Sequence, residues 1–352
     1  MKWPVIIERQ TEPEALTLDW ANLPFGRVFS RHCALARYDA AQWEAPTIRP
    51  MQELALHPGT SALHYGQAIF EGLKAYRRRD GTRLVFRLRD HYERLNRSAR
   101  RLVMPKVPWE LFQELVLALL RIEEPLFPPD LSHAVYVRPL LFATDPWLGV
   151  RPSDTYLLVI YLTPVGSYYE GPVRAYVETE MSRAAPGGTG SIKMAGNYAA
   201  ALLSGQKAKA HHCQVSLWLD AVERQWVEEY STMNAFFVFR GPVIVTPSLE
   251  RGTILPGITR DTLLYLARRR GWTVEERDLA IEEVVQGIAE GRLLEAFGTG
   301  TAATIMPVQA FWYQGKLWEL PPEAPYAQML RADYYSLLDG TLPAPPEWIT
   351  LL

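Results

Sequence analysis

Cysteine is nearly absent from the 352 residues, which hold Cys33 and Cys213 and no others. Two thiols cannot frame a disulfide scaffold or a zinc cluster, and they suit a reducing cytoplasm, the compartment expected here. Charge of one sign is missing as well. Lys and Arg number 37 against 39 Asp and Glu, a net charge of −2, so no global field draws the chain to nucleic acid or an anionic membrane. The short basic runs Arg77–Arg79 and Arg268–Arg270 read as solvated faces and turns. Long apolar runs are lacking: Glu8 and Arg9 interrupt the start, so a signal-peptide core is not expected. The run Tyr156–Leu162 falls far short of the roughly 20 residues of a membrane span. Metal and hydrolase templates fail too. His211 and His212 are adjacent and point apart, no HExxH or Cys cluster exists, and no G-x-S-x-G elbow appears. No metal is expected.

What is present is ordinary globular material, 48% hydrophobic and 22% charged, which excludes a disordered chain. At about 100–200 residues per domain the length suggests two domains or one large one. A chain of this size buries a core without staples, around 75% of its unfolded surface. The turn Arg79–Gly81 joins strands Leu73–Arg77 and Arg83–Arg87. From Asp90, an expected N-cap, Leu95, Ala99, Leu102 and Val103 fall at helical spacing up to Pro105. A second amphipathic helix spans Trp109–Glu123, and His133–Ala143 and Thr155–Leu162 read as strands. The Gly-, Pro- and Tyr-rich stretch 164–172 is the expected linker, giving a small domain over 1–163 and a large one over 173–352. The second part opens with strand Val173–Glu178 and the loop Ala185–Ser191, followed by one helix over Asn197–Ala210. Strands Gln214–Asp220, Trp226–Tyr230, Ala235–Arg240 and Val243–Thr246 come next. A helix over Gly257–Arg270, strand Arg292–Ala296, helix Tyr326–Leu338 and a Pro-rich tail complete the reading.

Glycine-rich loops are the first candidates for phosphate binding. GTGTAA (Gly298–Ala303) matches a loose dinucleotide fingerprint, but no long helix follows before Pro307 and no βαβ unit remains. In GGTGSIK (Gly187–Lys193), Ile192 occupies the glycine that a P-loop requires. A smaller anion suits both ends of this domain better. Gly257, Ile258 and Thr259 open a helix with free N–H groups and a positive dipole end, and Thr301 follows two glycines with a hydroxyl. Each alone reads more simply as an ordinary helix start or turn. Lys193 sits between Ser191 and the small residues Ala195 and Gly196, where backbone can approach a flat ligand. Schiff-base chemistry needs such a lysine in its deprotonated form, although a solvated surface lysine is the plainer reading of that residue alone. Glu229 ends the strand WVEEY and could keep a pyridinium nitrogen protonated. The plainer reading is a carboxylate facing solvent, like its neighbour Glu228.

Taken together, five blocks in order resemble the branched-chain-amino-acid aminotransferases, class-IV pyridoxal-phosphate enzymes, from about His57 to Gln309. They are LHYGQAIFEGLKAY (Leu63–Tyr76), YVRPLLFATDPWLGV (Tyr136–Val150), GSIKMAGNYAA (Gly190–Ala200), EYSTMNAFFVF with VIVT and LPGITR, and FGTGTAA (Phe297–Ala303). The resemblance implies an α/β (mixed α+β) fold of type IV, with a smaller N-terminal α/β domain and a larger C-terminal barrel-like domain with helices. It implies pyridoxal 5′-phosphate held by Lys193 as an internal aldimine, with Lys193 then shuttling the proton. Tyr198 would bond the cofactor's phenolic oxygen and Glu229 its ring nitrogen. Arg87 would bind the phosphate with Ile258, Thr259 and Thr301, and Thr232 would be a further contact. Tyr65, Phe70, Tyr136 and Arg138 would line the substrate side, Thr301 and Ala302 would receive the α-carboxylate, and Leu148 and Val150 would reach into a partner subunit's pocket. A homodimer or larger homo-oligomer follows. The expected reaction moves the amino group of L-leucine, L-isoleucine or L-valine to 2-oxoglutarate. Two departures stand out: a Cys-x-x-Cys of some members is Ala303 and Met306 here, and a common glycine is Ser231. The rivals are a D-amino-acid aminotransferase or aminodeoxychorismate lyase of the same fold, and a non-catalytic binding protein on this scaffold.

Overall fold

Strand signals carried by β-branched and aromatic residues resolve into two sheets in the computed structural model, which describes residues 3–9, 18–23, 25–166 and 171–352. The chain divides into two units: residues 1–168, 192–195 and 338–352 form the first, and 169–191 and 196–337 the second. A division at the linker would put Ile192–Ala195 and Leu338–Leu352 in the second unit. Pairing explains why they lie in the first. Strand Ile349–Leu351 runs antiparallel to Arg83–Phe86, and Met194 forms an antiparallel bridge with Ile69. The strand Tyr156–Val165 continues into the expected linker, whose residues 167–170 lie outside the described ones.

In the first unit the path runs Ile6–Ile7, Thr47–Pro50, His32–Asp39, Tyr156–Val165, Ala134–Ala143, Leu73–Arg77, Arg83–Phe86 and Ile349–Leu351. Ala68–Phe70 pairs beside Ala134–Ala143. Helices Leu88–Arg101 and Trp109–Ile122 bury Leu95, Leu111 and Leu115 against Val135, Val137 and Ile160 of the sheet. The opposite face carries a smaller cluster of Cys33, Leu35, Phe142 and Val159. Covering both faces is why Ala134–Ala143 reads as an almost unbroken apolar run. Each such buried aliphatic side chain contributes about 1.5–3 kcal/mol.

The second unit contains a closed barrel. Its ring runs Val227–Tyr230, Val215–Leu219, Val173–Glu178, Thr304–Tyr313, Leu293–Gly300 and Met233–Phe239, which pairs back to Val227–Tyr230. All of Met233–Phe239 is buried, with Phe237 and Phe311 among its core and Phe236 stacked on Phe297 at 5.1 Å. Closure removes the exposed edges that an open sheet of these strands would leave.

Several local expectations are corrected. Asp90 is not the N-cap; Arg87 is, in the left-handed region at φ 55°. The strand Arg83–Phe86 turns directly into the helix there, leaving Asp90 in the first turn, where its carboxylate accepts from Arg87 Nε at 2.8 Å. The helix ends at Arg101, ahead of Pro105, because Val103 adopts φ 55°. The stretch 197–210 is two helices, Ala195–Ala199 and Leu202–Ala210, interrupted at residues 200–201. Gly298–Gly300 are not part of a loop but end the strand Leu293–Gly300, and Thr301–Ala303 make the hairpin turn.

Candidate active site

Lys193 owes its placement to its main chain. Its carbonyl accepts from the Phe70 N–H at 3.0 Å, and its own N–H donates to Ser98 Oγ at 3.1 Å. The side chain runs over Phe70, with Nζ 4.8 Å from the ring centroid. The guanidinium of Arg138 lies 4.8 Å from the same ring and 5.3 Å from that of Tyr136, and Nη2 donates to the Tyr136 hydroxyl at 3.3 Å. Tyr136 is buried, its hydroxyl pressed against Gly72, where a Cβ would fall 1.7 Å from the oxygen. Only glycine leaves that space. Four expected residues, Lys193, Phe70, Tyr136 and Arg138, are thus brought together in the first unit. The arrangement is an apolar wall with one cation of fixed charge and one lysine, suited to a substrate carrying both a hydrocarbon chain and a carboxylate.

Other expected residues of this unit have partners of their own. Arg87 is buried, paired with Asp90 and stacked on Trp348 at 4.2 Å. The Tyr65 hydroxyl donates to the Leu148 carbonyl. Leu148 and Val150 are 68% and 85% exposed, beside Trp147 at 53%. Exposed apolar side chains clustered on one loop are what a protein contact would cover.

In the second unit, neither glutamate of WVEEY faces solvent: Glu228 and Glu229 are 2% and 5% exposed. Arg183 and the segment around Thr253 and Leu255 lie against these two carboxylates, which corrects the plainer sequence reading. Glu229 Oε1 lies 3.1 Å from Arg183 Nε; this is an ion pair without hydrogen-bond alignment. The other carboxylate oxygen accepts from the Leu255 N–H at 3.2 Å and from Asn234 Nδ2 at 3.4 Å. Arg183 also donates to the carbonyls of Gly190 and Thr253. Sequence reasoning missed this arginine, since an isolated Arg ahead of the glycine-rich loop carries no periodic or motif signal. Glu228 differs. Burial pushes its carboxyl up to about 7, with Glu229 and Asp220 adding to the shift and Thr253 and Arg183 opposing it. Neither Thr253 nor Arg183 makes a well-aligned hydrogen bond to it.

Asn234 links the remaining pieces. It pairs across strands with Glu229 and with Thr299, and Nδ2 donates to the Leu255 carbonyl at 2.8 Å. Its Oδ1 sits where a Cβ on Gly257 would fall at 2.0 Å, so that position excludes any side chain. Gly257 is the extended N-cap of helix Ile258–Arg269, which has no side-chain cap, and Thr259 is buried in its first turn. Thr232, exposed in the turn after Tyr230, has its carbonyl 3.5 Å from the place of a Gly300 Cβ, next to half-buried Thr301 and Ala302. Ser231 does fit: its hydroxyl accepts from the Ser216 N–H at 2.9 Å. Tyr198 is half-buried on Ala195–Ala199, and Asn197 beside it donates to the Thr189 carbonyl at 2.8 Å. A buried carboxylate held by an arginine and two N–H donors suits a protonated ring nitrogen. A helix start capped by no side chain suits a phosphate. The donor set therefore fits a phosphorylated pyridine, and among the described residues no group of His, Cys, Asp and Glu could hold a metal ion. No helix there is long and apolar enough to cross a membrane.

Known proteins extend this geometry. The family described as amino-transferase class IV matches residues 68–311. A branched-chain-amino-acid transaminase of Bacillus subtilis is 45% identical over 303 residues, 85% of each chain. Among solved structures, the branched-chain aminotransferase of Thermoproteus uzoniensis with norvaline superposes with a TM-score of 0.75 at 28% identity, covering 92% of this chain and 99% of that one. The T.th. branched-chain amino acid aminotransferase complexed with N-(5′-phosphopyridoxyl)-L-glutamate gives 0.72 at 28% identity, covering 90% and 97%. On the extent of the family match and the level of identity, the chain belongs to the branched-chain-amino-acid aminotransferases of the class IV aminotransferase family.

Proposed function

We propose that this chain transfers the amino group of L-leucine, L-isoleucine or L-valine to 2-oxoglutarate, using pyridoxal 5′-phosphate held on Lys193. The observation that carries the reading is the clamped Lys193 beside Phe70, Tyr136 and Arg138. When bound, the cofactor supplies an electron sink. The protein does the rest. Lys193 Nζ removes the proton from the substrate's α-carbon, a step for which a positioned base contributes about 10²–10⁴-fold. Glu229 keeps the ring nitrogen protonated, and Arg183 and Asn234 keep Glu229 in place. Tyr198 bonds the phenolic oxygen. Arg87, Thr232, Ile258, Thr259 and Thr301 hold the phosphate, and Thr301 with Ala302 receives the α-carboxylate. Tyr65, Phe70 and Tyr136 form the apolar wall. Leu148 and Val150, exposed on their loop, complete the pocket of a second copy, so the working form is a homodimer or larger.

A visible absorbance spectrum of the purified protein tests the reading. A yellow form that bleaches with L-leucine and returns with 2-oxoglutarate supports it. A response to D-alanine alone would favour a D-amino-acid aminotransferase. A colourless protein that cannot be reconstituted with pyridoxal phosphate would remove the enzyme reading.

Arg138 is assigned to the γ-carboxylate of glutamate. A hydrogen bond to a charged group is worth about 1.5–3 kcal/mol. Arg138→Ala should therefore lower kcat/KM for glutamate and 2-oxoglutarate by about 10–100-fold, and for leucine far less. Equal losses with both amino donors would sink the assignment.

A further inference from the structure

The feature of the first unit that the proposed chemistry leaves unused is a fully buried ion cluster immediately after Phe70. Glu71 is 0% exposed, and both of its carboxylate oxygens are engaged. Arg94 meets it as a fork, Nε to Oε1 at 2.7 Å and Nη2 to Oε2 at 2.9 Å. His91 Nδ1 lies 2.8 Å from Oε2, which also accepts the Gly72 N–H at 3.1 Å. Against the cost of burial, the Arg94 guanidinium and the hydrogen bond from His91 hold the Glu71 carboxyl well below the usual carboxylate range. A buried cluster of this kind adds little net stability compared with a hydrophobic core of similar volume. Its stronger consequence is geometric, because a planar guanidinium fork fixes two main-chain segments relative to each other.

Those two segments are the ones that grip Lys193. Glu71 directly follows Phe70, whose N–H holds the Lys193 carbonyl. One turn beyond Arg94, Ser98 is fully buried; its Oγ donates to the Arg94 carbonyl at 3.1 Å and accepts the Lys193 N–H at 3.1 Å. A hydroxyl has one proton and two lone pairs. Giving the proton to the Arg94 carbonyl turns a lone pair to the lysine amide. Lys193 is thereby tied on both sides, by the Ala68–Phe70 strand at its carbonyl and by the Leu88–Arg101 helix at its N–H.

We propose that Ser98 is a positioning residue for Lys193, fixing the direction in which its side chain leaves the backbone, and that Glu71 locks Ser98 and Phe70 in register through Arg94. Both residues are fully buried and act through Lys193. Calling the held lysine the cofactor-bearing one rests on the function proposed above; the hold itself does not.

Ser98→Ala separates the two. Hydrogen–deuterium exchange at the Lys193 amide, resolved to single residues by mass spectrometry, is measured first on the cofactor-free full chain. Exchange should quicken about five-fold or more, while the far-ultraviolet circular dichroism spectrum stays unchanged. The second readout is the pH midpoint of the bound cofactor's visible absorbance, which should move by half a unit or more, with kcat falling more than KM changes. Glu71→Gln is the companion variant, in which the Phe70 and Lys193 amides should both exchange faster. Unchanged exchange at Lys193 in Ser98→Ala overturns the hold. Faster exchange with an unmoved spectral midpoint overturns the positioning role. Failure of the unaltered chain to take up pyridoxal phosphate would overturn the function assigned to Lys193, and the exchange result on the cofactor-free chain would still decide the hold.

Discussion

Replacing Lys193 by alanine is expected to lower the rate of the L-leucine half-reaction by about 10⁴-fold or more, the upper range for loss of a positioned proton-transfer group. Two functions go together in this variant: the amine that carries the cofactor and the base that takes the α-proton. Lys193→Arg should be equally inactive, since a guanidinium keeps its charge and cannot be deprotonated in a protein. Folding should survive both changes, because the backbone contacts of this residue to Ser98 and Phe70 remain. The check is a single-turnover measurement of absorbance after mixing with L-leucine, alongside circular dichroism. A variant retaining a tenth of the activity would show that another group is the base. Wild-type activity surviving in Lys193→Arg would also transfer that role elsewhere, because the arginine side chain offers no free lone pair at working pH.

The sequence made some of this legible and concealed the rest for identifiable reasons. Strands and helices with strong periodicity, such as Leu73–Arg77 and Trp109–Ile122, lie within a residue or so of their expected bounds, because side-chain alternation and helical spacing are local signals. The helix start at Arg87 was not legible. A left-handed arginine there depends on the strand before it and on Trp348, which lies 261 residues away along the chain and stacks on its guanidinium. The break at residues 200–201 likewise has no Gly or Pro to announce it. Motif order led to Lys193, Glu229 and Arg138, but said nothing of their supports. Arg183 and Ser98 belong to no motif, and each matters through a partner distant in sequence: Glu229 for one, Lys193 for the other. Burial was the least legible property. Two consecutive glutamates look like a solvated strand end, and both are buried because Arg183 and the segment around Thr253 and Leu255, distant in sequence, lie against them.

That burial makes Glu228 the source of a pH-dependent stability that its removal should abolish. Its carboxyl is raised from 4.5 to about 7, with desolvation as the leading cause. The sign follows from proton counts. Below pH 4.5 the group is protonated in folded and unfolded chains alike, and its contribution to stability is full. Between 4.5 and 7 the unfolded chain releases the proton while the folded one retains it, so stability falls as pH rises. Above 7 both forms are ionised and the loss is complete. At 1.36 kcal/mol for each pK unit, the shift corresponds to about 3 kcal/mol. Glu228→Gln keeps the shape and cannot ionise, so its stability relative to the unaltered chain should rise by about 2–3 kcal/mol between pH 5 and pH 8. Other titrating groups are common to both proteins and cancel in the difference. Urea unfolding at pH 5, 6, 7 and 8 measures it directly. Parallel curves across that range would mean that Glu228 is ionised in the folded protein at pH 5, and that its carboxylate is solvated or paired where the barrel places it among buried neighbours.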